Sequence, residues 1–431
     1  MSPEQNLRFF AKTDVGRARE HNEDNFLVDK KLSLFVVADG MGGHAAGEVA
    51  SALAVRTLHE EIIQGAHLIE QQRLAQNGGA GISPTELLAF LEQAVQRACV
   101  HIHDEARDDP DKRGMGTTLS ALLIVGYRGF IAHVGDSRIY LLRHGKLEQL
   151  TEDHTVRNEL LKRGKLTREQ IESFPKKNAV TRAVGVYERV EVDTLTFEVL
   201  PGDRILLATD GLHTYFPEAE ALATHLQSDD EDVAERLVRI ANESGGKDNV
   251  TAVVVCLPEG TDVDRARARR VAQKREVLSK MPLFARLSER ELLRVMQVTS
   301  VRFHPEGSVV IEEGSWGDEL FIVLSGKVAV MKGGAVLSTL GVGEHVGEMA
   351  LIRKAPRSAT VVASEGPAEL VAIKRADFFE ILRREPELAV KLLWQFVGVL
   401  ADRLDRTSQN LHEVLAAEDL TDEVFPVFEE E

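Results

Sequence analysis

Aspartates recur where apolar runs end in the N-terminal part of the sequence. Asp39 follows LFVVA, Asp136 follows FIAHVG, Asp210 follows RILLAT, and Asp248 stands before Asn249 and the run VTAVVV. One aspartate at the end of a strand is usually a turn residue, but four in the same kind of position favour a shared role. Hard divalent cations such as Mg²⁺ and Mn²⁺ take oxygen ligands, with water filling the remaining positions. The pattern therefore predicts a divalent-metal site.

Two further features surround the first of these aspartates. Glu23 and Asp24 precede the run FLV, and Arg19 lies five residues ahead of Asp24. Arg19 has two interpretations at this stage, an ion pair with a neighbouring carboxylate or a bidentate clamp on a phosphate. The segment ADGMGGHAAG, residues 38–47, offers few side chains to hold its backbone still. It is either a flexible turn or a loop that a bound cation or phosphate holds in place.

A different constellation lies in the segment GEHVGEMALIRKAPRSATVVAS. Gly347 and Glu348 precede a short apolar helix predicted over residues 349–352, and a helix N-terminus favours an anion. Arg357 could close such a phosphate seat from the other side. Glu348 beside a phosphate is reasonable only if it accepts hydrogen bonds from hydroxyls, such as those of a ribose.

Hydrophobic periodicity indicates the elements that must position these residues. The run over residues 32–38 reads as a buried strand, and apolar residues at helical spacing follow Gly47. A second amphipathic helix is predicted from Pro84 to about Arg107. Most later segments up to residue 257 have strand character, except for a mixed helical flap expected over 151–200. Strands and helices in separate groups favour layered α/β with antiparallel sheets.

The composition and hydrophobic periodicity of the sequence change after residue 257. Six basic residues lie between Arg265 and Arg275 in a polar stretch, which is most often a solvated helix face and sometimes a docking site. Short strands broken by glycines follow from residue 281 and predict a small barrel or jelly roll. Helical periodicity returns from 376 to about 417, and the last 19 residues contain eight acidic side chains. The predicted fold class is thus α/β, with an N-terminal layered sandwich of two antiparallel sheets flanked by helices, then a C-terminal β jelly-roll barrel with flanking helices.

Composition limits the partners and the compartment. The 431-residue chain has 52 basic and 69 acidic residues, a net charge of −17, which disfavours nucleic acid and anionic membrane as partners. Cys99 and Cys256 lie far apart in apolar stretches and predict buried free thiols. No signal peptide or membrane-spanning run is recognisable, so the cytoplasm is the expected location.

The N-terminal motifs resemble a known enzyme family. The ordered blocks are TDVGRAREHNEDNF, VADGMGGHAAGEVAS, GMGTTLSALLI, AHVGDSRIYLLR, LTEDHT, TRAVG, LLATDGLHTYF and GGKDNVTAVVV. Together they resemble the metal-dependent serine/threonine protein phosphatases, the PPM or type 2C family, in their bacterial form. The resemblance places the phosphatase domain at residues 8–257.

This resemblance implies a metal centre. Asp39 would bridge two Mn²⁺ or Mg²⁺ ions, with the carbonyl of Gly40 as a ligand to one of them, and the loop glycines would let the backbone close on the ions. Asp210 and Asp248 would complete the shell of one ion. Asp136 matches a position that helps to bind a third, weaker metal.

The resemblance also implies roles around the metals. Glu23 and Asp24 would orient metal-bound waters, and Arg19 would hold the substrate phosphate. His44 matches a histidine near the metal pair, and its role as general acid or as a structural residue stays open. A water activated by the cations would attack phosphorus in line, with charge on the phosphoryl oxygens offset by the cations and Arg19.

The C-terminal part resembles the cyclic nucleotide-binding domain of bacterial catabolite activators and kinase regulatory subunits, over residues 281–405. The match rests on VVIEEGSWGDELFIVLSGKVAV, on the Glu348 to Arg357 segment, and on the turn glycines Gly307, Gly314, Gly317 and Gly326. It implies that Glu348 contacts the ribose 2′-hydroxyl and Arg357 the cyclic phosphate. The implied nucleotide-binding residues are Gly347, Glu348, Met349, Ala350, Arg357 and Ser358. A serine at 358 favours cAMP over cGMP only weakly.

The predicted function is therefore a metal-dependent phosphoserine/phosphothreonine phosphatase regulated by cyclic nucleotide. Residues 258–280 are predicted as a basic helical linker and 406–431 as a helical end and acidic tail. Expected partners are phosphorylated proteins, a serine/threonine kinase with its targets, and cAMP or cGMP; the oligomeric state is not predicted. Two alternatives stay open: a constitutive phosphatase whose C-terminal domain serves dimerisation or targeting, and a non-catalytic scaffold that senses nucleotide.

Overall fold

The computed structural model describes residues 7–42, 46–76, 78–164, 166–228 and 230–424. The chain divides into two compact units, Met1–Val271 and Ala272–Glu431. The division falls inside one helix, Asp262–Lys280, in the stretch where the sequence predicts a basic linker. Each unit is described by itself below.

The N-terminal unit contains two antiparallel sheets. Its strands are β1 (Arg8–Asp14), β2 (Asp24–Asp29), β3 (Leu34–Met41), β4 (Gly116–Thr117), β5 (Leu119–Val125), β6 (Arg128–Val134), β7 (Arg138–Arg143), β8 (Lys146–Gln149), β9 (Asp193–Glu198), β10 (Arg204–Ala208) and β11 (Val250–Cys256). The five-stranded sheet has the order β1-β11-β10-β7-β8. The six-stranded sheet has the order β2-β3-β5-β6-β9, with β4 paired to β3.

Among the described residues, eight helices belong to this unit. They are α1 (Ala46–Gln64), α2 (Ala66–Gln76), α3 (Pro84–Asp108), α4 (Val156–Arg163), α5 (Arg168–Glu172), α6 (Asp210–His213), α7 (Ala219–Gln227) and α8 (Val233–Glu243), with a 3₁₀ turn at Pro110–Lys112. Of these, α1, α3, α7 and α8 pack on its sheets. The predicted helix from residue 84 is confirmed as α3. Ser83 starts it, because its side chain accepts from the Glu86 amide while the Glu86 carboxylate accepts from the Ser83 amide.

Alternation along β3 shows why the layers stack as they do. Val36 and Ala38 belong to one apolar core with residues of α1 and α3. The alternate residues Phe35 and Val37 are also fully buried and lie on the opposite face of the strand, where β3 contacts β10 and β11. The order of layers is therefore helix, sheet, sheet, helix, and the predicted sandwich of two antiparallel sheets is confirmed.

Two expectations about this unit need correction. The strand predicted over 32–38 is β3, which continues through Asp39 to Met41 because Asp39 pairs with Asp24 of β2 and Gly40 pairs with Thr117 of β4. Among the described residues of the stretch 151–200, helix is confined to α4 and α5, and strand β9 lies near its end. Strand β9 completes the six-stranded sheet by pairing with β6.

The C-terminal unit combines an antiparallel barrel-like sheet with helices. Its elements are α9 (Asp262–Lys280, shared with the first unit), α10 (Glu289–Gln297), β12 (Thr299–His304), β13 (Val309–Ile311), β14 (Glu319–Lys332), β15 (Ala335–Leu340), β16 (His345–Val346), α11 (Met349–Ile352), β17 (Thr360–Lys374), α12 (Arg375–Arg384) and α13 (Pro386–Val424). Strands β14 and β17 are long and register-shifted, and each pairs with several neighbours. The predicted jelly-roll-like sheet with flanking helices is confirmed.

Two smaller expectations are also settled. Cys99 and Cys256 are both buried free thiols, as predicted. Among the residues that the structure describes, no helix is both long enough and apolar enough to cross a membrane.

Candidate functional site

The sandwich brings the acidic residues of the two sheets together at one edge. Six of them are called the carboxylate cluster here: Glu23, Asp24, Asp39, Asp136, Asp210 and Asp248. Asp24 and Asp39 face each other across β2 and β3. Asp210 opens α6 directly after β10, and Asp248 precedes β11. The cluster thus draws its members from both sheets.

Burial, followed by the charge of neighbouring aspartates, raises the pKa of several of these carboxylates. Burial, then the charges of Asp24, Asp210 and other cluster members, raise the pKa of Asp39 well above its ordinary value. Burial also raises the pKa of Asp24 to about 7 and that of Asp136 to about 7, again with nearby aspartates contributing. The pKa of Asp210 is raised by burial and by Asp248. Such a cluster favours a cation, because positive charge relieves both the repulsion and the desolvation.

Carboxylate oxygens without a hydrogen-bond partner are a second feature of the cluster that favours a cation. Among the described residues, Asp24 Oδ1 and Asp210 Oδ1 are buried without a hydrogen-bond partner. An acceptor buried in this way costs free energy unless a donor or a cation meets it. No three His, Cys, Asp or Glu side chains of the described residues are arranged to hold an ion by themselves. The unpartnered carboxylate oxygens fit a hard divalent ion that takes few protein oxygens and fills its other positions with water.

The backbone around Asp39 is fixed by two threonines. The Asp39 amide donates to Thr118 Oγ1 at 2.9 Å. The Asp39 carbonyl accepts from Thr117 Oγ1 at 2.9 Å and from the Thr118 amide at 2.8 Å. These bonds hold the main chain at Asp39, and the Asp39 carboxylate interacts with that of Asp210. Sequence reasoning did not identify either threonine.

The glycines after Asp39 are required by close contacts within the chain. A Cβ on Gly40 would lie 2.1 Å from the Gly47 carbonyl oxygen and 2.7 Å from the Glu23 carbonyl oxygen. A Cβ on Gly47 would lie 2.5 Å from Glu23 Oε1. The Gly40 amide also donates to the Glu23 carbonyl at 3.1 Å. The start of α1 therefore packs directly on the strand that carries Asp39, a reason for glycine in addition to the predicted closure on metal ions.

Arg19 lies at the rim of the carboxylate cluster and is half exposed. It donates to Asp248 Oδ2 at 2.8 Å, and this hydrogen bond is the first cause that raises the pKa of Arg19. The ion pair that the sequence left open is thus present, and it places the guanidinium beside the cluster. His44, the other residue predicted to be catalytic, lies outside the described residues.

Asn249 holds the loop that carries Arg19. Its Oδ1 accepts from the Glu23 amide at 2.8 Å, while its Nδ2 donates to the carbonyls of Val15 and His21, both at 2.9 Å. All three bonds join residues more than 220 positions apart, so no local pattern predicts them. The only signal in the sequence is the place of Asn249 directly after Asp248.

Asp136 is held differently from the other members of the cluster. Its carbonyl accepts from His213 Nε2 at 3.0 Å, and burial lowers the pKa of His213 to about 4, so this ring is neutral. The preceding Gly135 donates through its amide to His154 Nδ1 at 3.1 Å. Both histidines therefore position backbone next to Asp136 and leave its carboxylate available.

In the C-terminal unit, Arg357 lies in a slot between two glycines. Its guanidinium donates to the Glu319 carbonyl at 2.8 Å and to the Gly347 carbonyl at 3.4 Å. A Cβ on Gly317 or on Gly347 would come within 2.7 Å of guanidinium nitrogens. Arg357 is half-buried, and burial is the main cause that lowers its pKa.

The remaining predicted nucleotide residues surround Gly347. Glu348 and Ala350 are buried, whereas Met349 and Ser358 are exposed. Gly347 has a left-handed φ of 84°, which turns the chain into α11. The structure thus brings Arg357 beside Gly347, which is adjacent in sequence to Glu348.

Comparison with known proteins agrees with these features. The protein phosphatase 2C family profile matches residues 16–251, and the cyclic nucleotide-binding domain profile matches residues 301–385. A serine/threonine phosphatase, stp, of Listeria innocua is 39% identical over 249 residues, which cover 57% of this chain and 93% of that protein. The chain therefore belongs to the protein phosphatase 2C family, and it is a serine/threonine phosphatase with a C-terminal cyclic nucleotide-binding domain.

Two solved structures are similar to the N-terminal part of the chain. The Mycobacterium tuberculosis serine/threonine phosphatase PstP/Ppp is 39% identical, with 59% of this chain and 99% of that chain covered and a TM-score of 0.50. A second structure, of the PstP catalytic domain, is in complex with two manganese ions; it is 38% identical, with 59% and 99% coverage and a TM-score of 0.48.

Proposed function

We propose that this phosphatase hydrolyses phosphoserine and phosphothreonine with two divalent ions, Mn²⁺ or Mg²⁺, held by the carboxylate cluster. The observation that carries the proposal is the set of crowded carboxylates with raised pKa values, two of which leave a buried oxygen unpartnered. Asp39, at the centre of the mutual repulsion, is the proposed bridging ligand, with the Gly40 carbonyl beside it. Asp210 and Asp248 are the proposed further ligands, and Asp136 is proposed for a third, weaker ion.

Divalent ions bound there would supply Lewis acidity and a nucleophilic water at neutral pH. The residues of the chain bind and orient the reactants. Arg19 sits beside the cluster and, with its planar fork of donors, is suited to hold the phosphate of the substrate. Glu23 and Asp24, both members of the cluster, are the proposed acceptors that orient metal-bound water. For His44 we retain both roles proposed from the sequence, general acid and structural residue.

Replacement of the proposed bridging ligand tests the metal assignment. Asp39→Asn should lower the rate of phosphothreonine-peptide hydrolysis in Mn²⁺ on the order of 10³-fold, because a ligand shared by both ions is lost. Asp108→Asn, at an exposed aspartate at the end of α3, is the matched control and should keep the wild-type rate. Wild-type turnover by Asp39→Asn in a folded protein contradicts the assignment.

We propose further that a cyclic nucleotide regulates this activity through Glu348 and Arg357, with cAMP favoured over cGMP. Support comes from the Arg357 guanidinium, which lies in its slot between Gly317 and Gly347, and Gly347 is adjacent in sequence to Glu348. A half-buried guanidinium aimed by backbone carbonyls offers its remaining N–H groups to a phosphate. Ser358 gives only weak support for cAMP.

Calorimetry and kinetics together test this second proposal. Arg357→Ala should weaken cAMP binding about 10- to 100-fold, the value of a charged hydrogen-bonded contact, and leave basal hydrolysis unchanged. Arg353→Ala, at an exposed arginine four residues earlier, is the control. Unchanged affinity of Arg357→Ala for both nucleotides contradicts the pocket. If the nucleotide binds but the hydrolysis rate does not change during the titration, the result favours the alternative of a constitutive phosphatase with a dimerisation or targeting module.

The remaining assignments follow from these. Phosphorylated proteins are the proposed substrates, and a serine/threonine kinase that makes them is the proposed functional partner. We retain the cytoplasm as the proposed location, because the two cysteines are buried free thiols.

A further inference from the structure

Asp24 connects the two sheets of the N-terminal unit through its side chain. It begins β2 in the six-stranded sheet, and its Oδ2 accepts from Thr209 Oγ1 at 2.8 Å and from Thr251 Oγ1 at 2.6 Å. Thr209 follows β10 and Thr251 lies in β11, both in the five-stranded sheet. All three residues are buried. These two hydroxyl bonds are called the threonine clamp here.

The direction of the hydrogen bonds in the clamp can be worked out. Each hydroxyl has one proton, and both clamp hydroxyls donate it to Asp24. Thr251 Oγ1 must then accept from Thr13 Oγ1 at 2.8 Å, and Thr13 accepts in turn from Asn22 Nδ2 at 2.9 Å. The chain of donors therefore ends on Asp24 Oδ2, and the other oxygen, Oδ1, is buried without a hydrogen-bond partner.

The clamp lies next to the proposed metal ligands of both sheets. Asp24 is paired with Asp39 across β2 and β3, and Thr209 immediately precedes Asp210. Thr209 Oγ1 also accepts from the Thr251 amide at 3.1 Å, and the Thr209 amide donates to the Thr251 carbonyl at 3.2 Å. Asp24 lies on β2, which pairs with the strand of Asp39. Its carboxylate therefore joins that pair of strands to the ends of β10 and β11, where Asp210 and Asp248 lie.

We propose that Thr209 and Thr251 are positioning residues that fix the spacing between the two halves of the metal site. The inference rests on the proposed function, because it requires that Asp39 and Asp210 share the ions. Removal of either hydroxyl leaves Asp24 Oδ2 with one donor instead of two and loosens the distance between the sheets at this edge. Partners of this kind, one shell behind the ligands, typically change metal affinity 10- to 100-fold.

The test is Mn²⁺ binding to the metal-stripped full-length protein, measured by isothermal titration calorimetry. Thr209→Val and Thr251→Val should each raise the Mn²⁺ Kd at least tenfold, whereas Thr209→Ser and Thr251→Ser, which keep the hydroxyl, should stay within threefold of wild type. Thr196→Val is the matched control, because Thr196 is a buried threonine of β9 that donates to the Gly129 carbonyl at 2.9 Å. Saturating Mn²⁺ should restore kcat in the valine variants, since the chemistry itself is intact.

The outcomes separate this inference from the function on which it rests. If wild-type protein binds no Mn²⁺, both are overturned. If wild type binds and the folded valine variants bind within twofold of it, the positioning role alone is overturned. If circular dichroism shows that a valine variant does not fold, Thr209→Ala and Thr251→Ala remove the same hydroxyl without placing a methyl group against the carboxylate. The same tenfold criterion then applies to them.

Discussion

Protons and metal ions should compete for the carboxylate cluster, and the proton count can be worked from the structure. Asp24 and Asp136 each have a pKa of about 7 instead of 3.8. At pH 6 each is then about nine-tenths protonated, and at pH 8 about one-tenth. Metal ligation needs ionised carboxylates. Filling the cluster with Mn²⁺ should therefore release more than one proton at pH 6, because the raised pKa of Asp39 adds to the count, and fewer at pH 8.

The sign of the stability effect follows from the same values. Because the folded state holds protons that the unfolded state gives up between pH 3.8 and 7, these two carboxylates stabilise the metal-free fold below pH 3.8, and this contribution is lost as pH rises through 7. The loss is at most about 4 kcal/mol for each group. The buried histidines His133 and His213 act in the opposite direction, since their pKa values are lowered to about 3 and about 4. Their effect is common to metal-free and metal-loaded protein and cancels in the difference.

The assay is calorimetric titration of Mn²⁺ at pH 6 and pH 8 in pairs of buffers with different ionisation enthalpies, which gives the number of protons released. Apparent affinity should fall at least tenfold per pH unit below 7. Thermal unfolding with and without Mn²⁺ should show a stabilisation that grows from pH 5.5 to 8. Release of no protons at pH 6, with Mn²⁺ bound, would refute the electrostatic description of the cluster.

Three further outcomes are expected. Gly40→Ala should lower the free energy of unfolding by about 2 to 4 kcal/mol, because its Cβ would lie 2.1 Å from a backbone carbonyl oxygen; Gly398→Ala, in an open helical position, should not, and equal thermal melts of the two variants would contradict the packing argument. The Trp394→Phe variant keeps one of the two tryptophans in the sequence, Trp316. Its fluorescence should change when cAMP binds, because the turn before Trp316 is hydrogen-bonded to the backbone of Arg357, the proposed phosphate-binding residue. Constant emission at saturating cAMP would contradict this. Asn249→Ala should raise the KM for a phosphopeptide about tenfold at saturating Mn²⁺, because the loop that carries Arg19 loses its hydrogen bonds to Asn249. An unchanged KM would show that these hydrogen bonds do not position Arg19.

The sequence predicts the parts of the site that are local. An aspartate next to an apolar run is visible as a strand end: Asp210 follows β10 and Asp248 precedes β11. Asp39 lies inside β3, because the strand is extended by pairing with β4, a partner 75 residues later that no local pattern indicates. That the aspartates of both sheets converge could be expected only from the family resemblance, since periodicity does not fix which sheet edges meet.

The threonines escape prediction for a physical reason. Thr209 occupies the position before the short helix α6, where a threonine is normally read as a helix cap, yet its side chain makes no capping bond and donates to Asp24 instead. Thr251 is a β-branched residue in a strand and is ordinary there by propensity. The contacts that give both residues a role join positions 185 and 227 residues apart.

Apolar packing alone does not explain how a site shared between two sheets keeps its dimensions. The core between the sheets is non-directional, because hydrophobic burial depends on area and not on register. Ligands that must meet one pair of ions need their spacing held closely, since small displacements weaken coordination. Hydrogen bonds are directional, and the structure places a buried, directed chain of them at the edge where the ligands meet. The threonine clamp therefore supplies the constraint that the apolar core cannot.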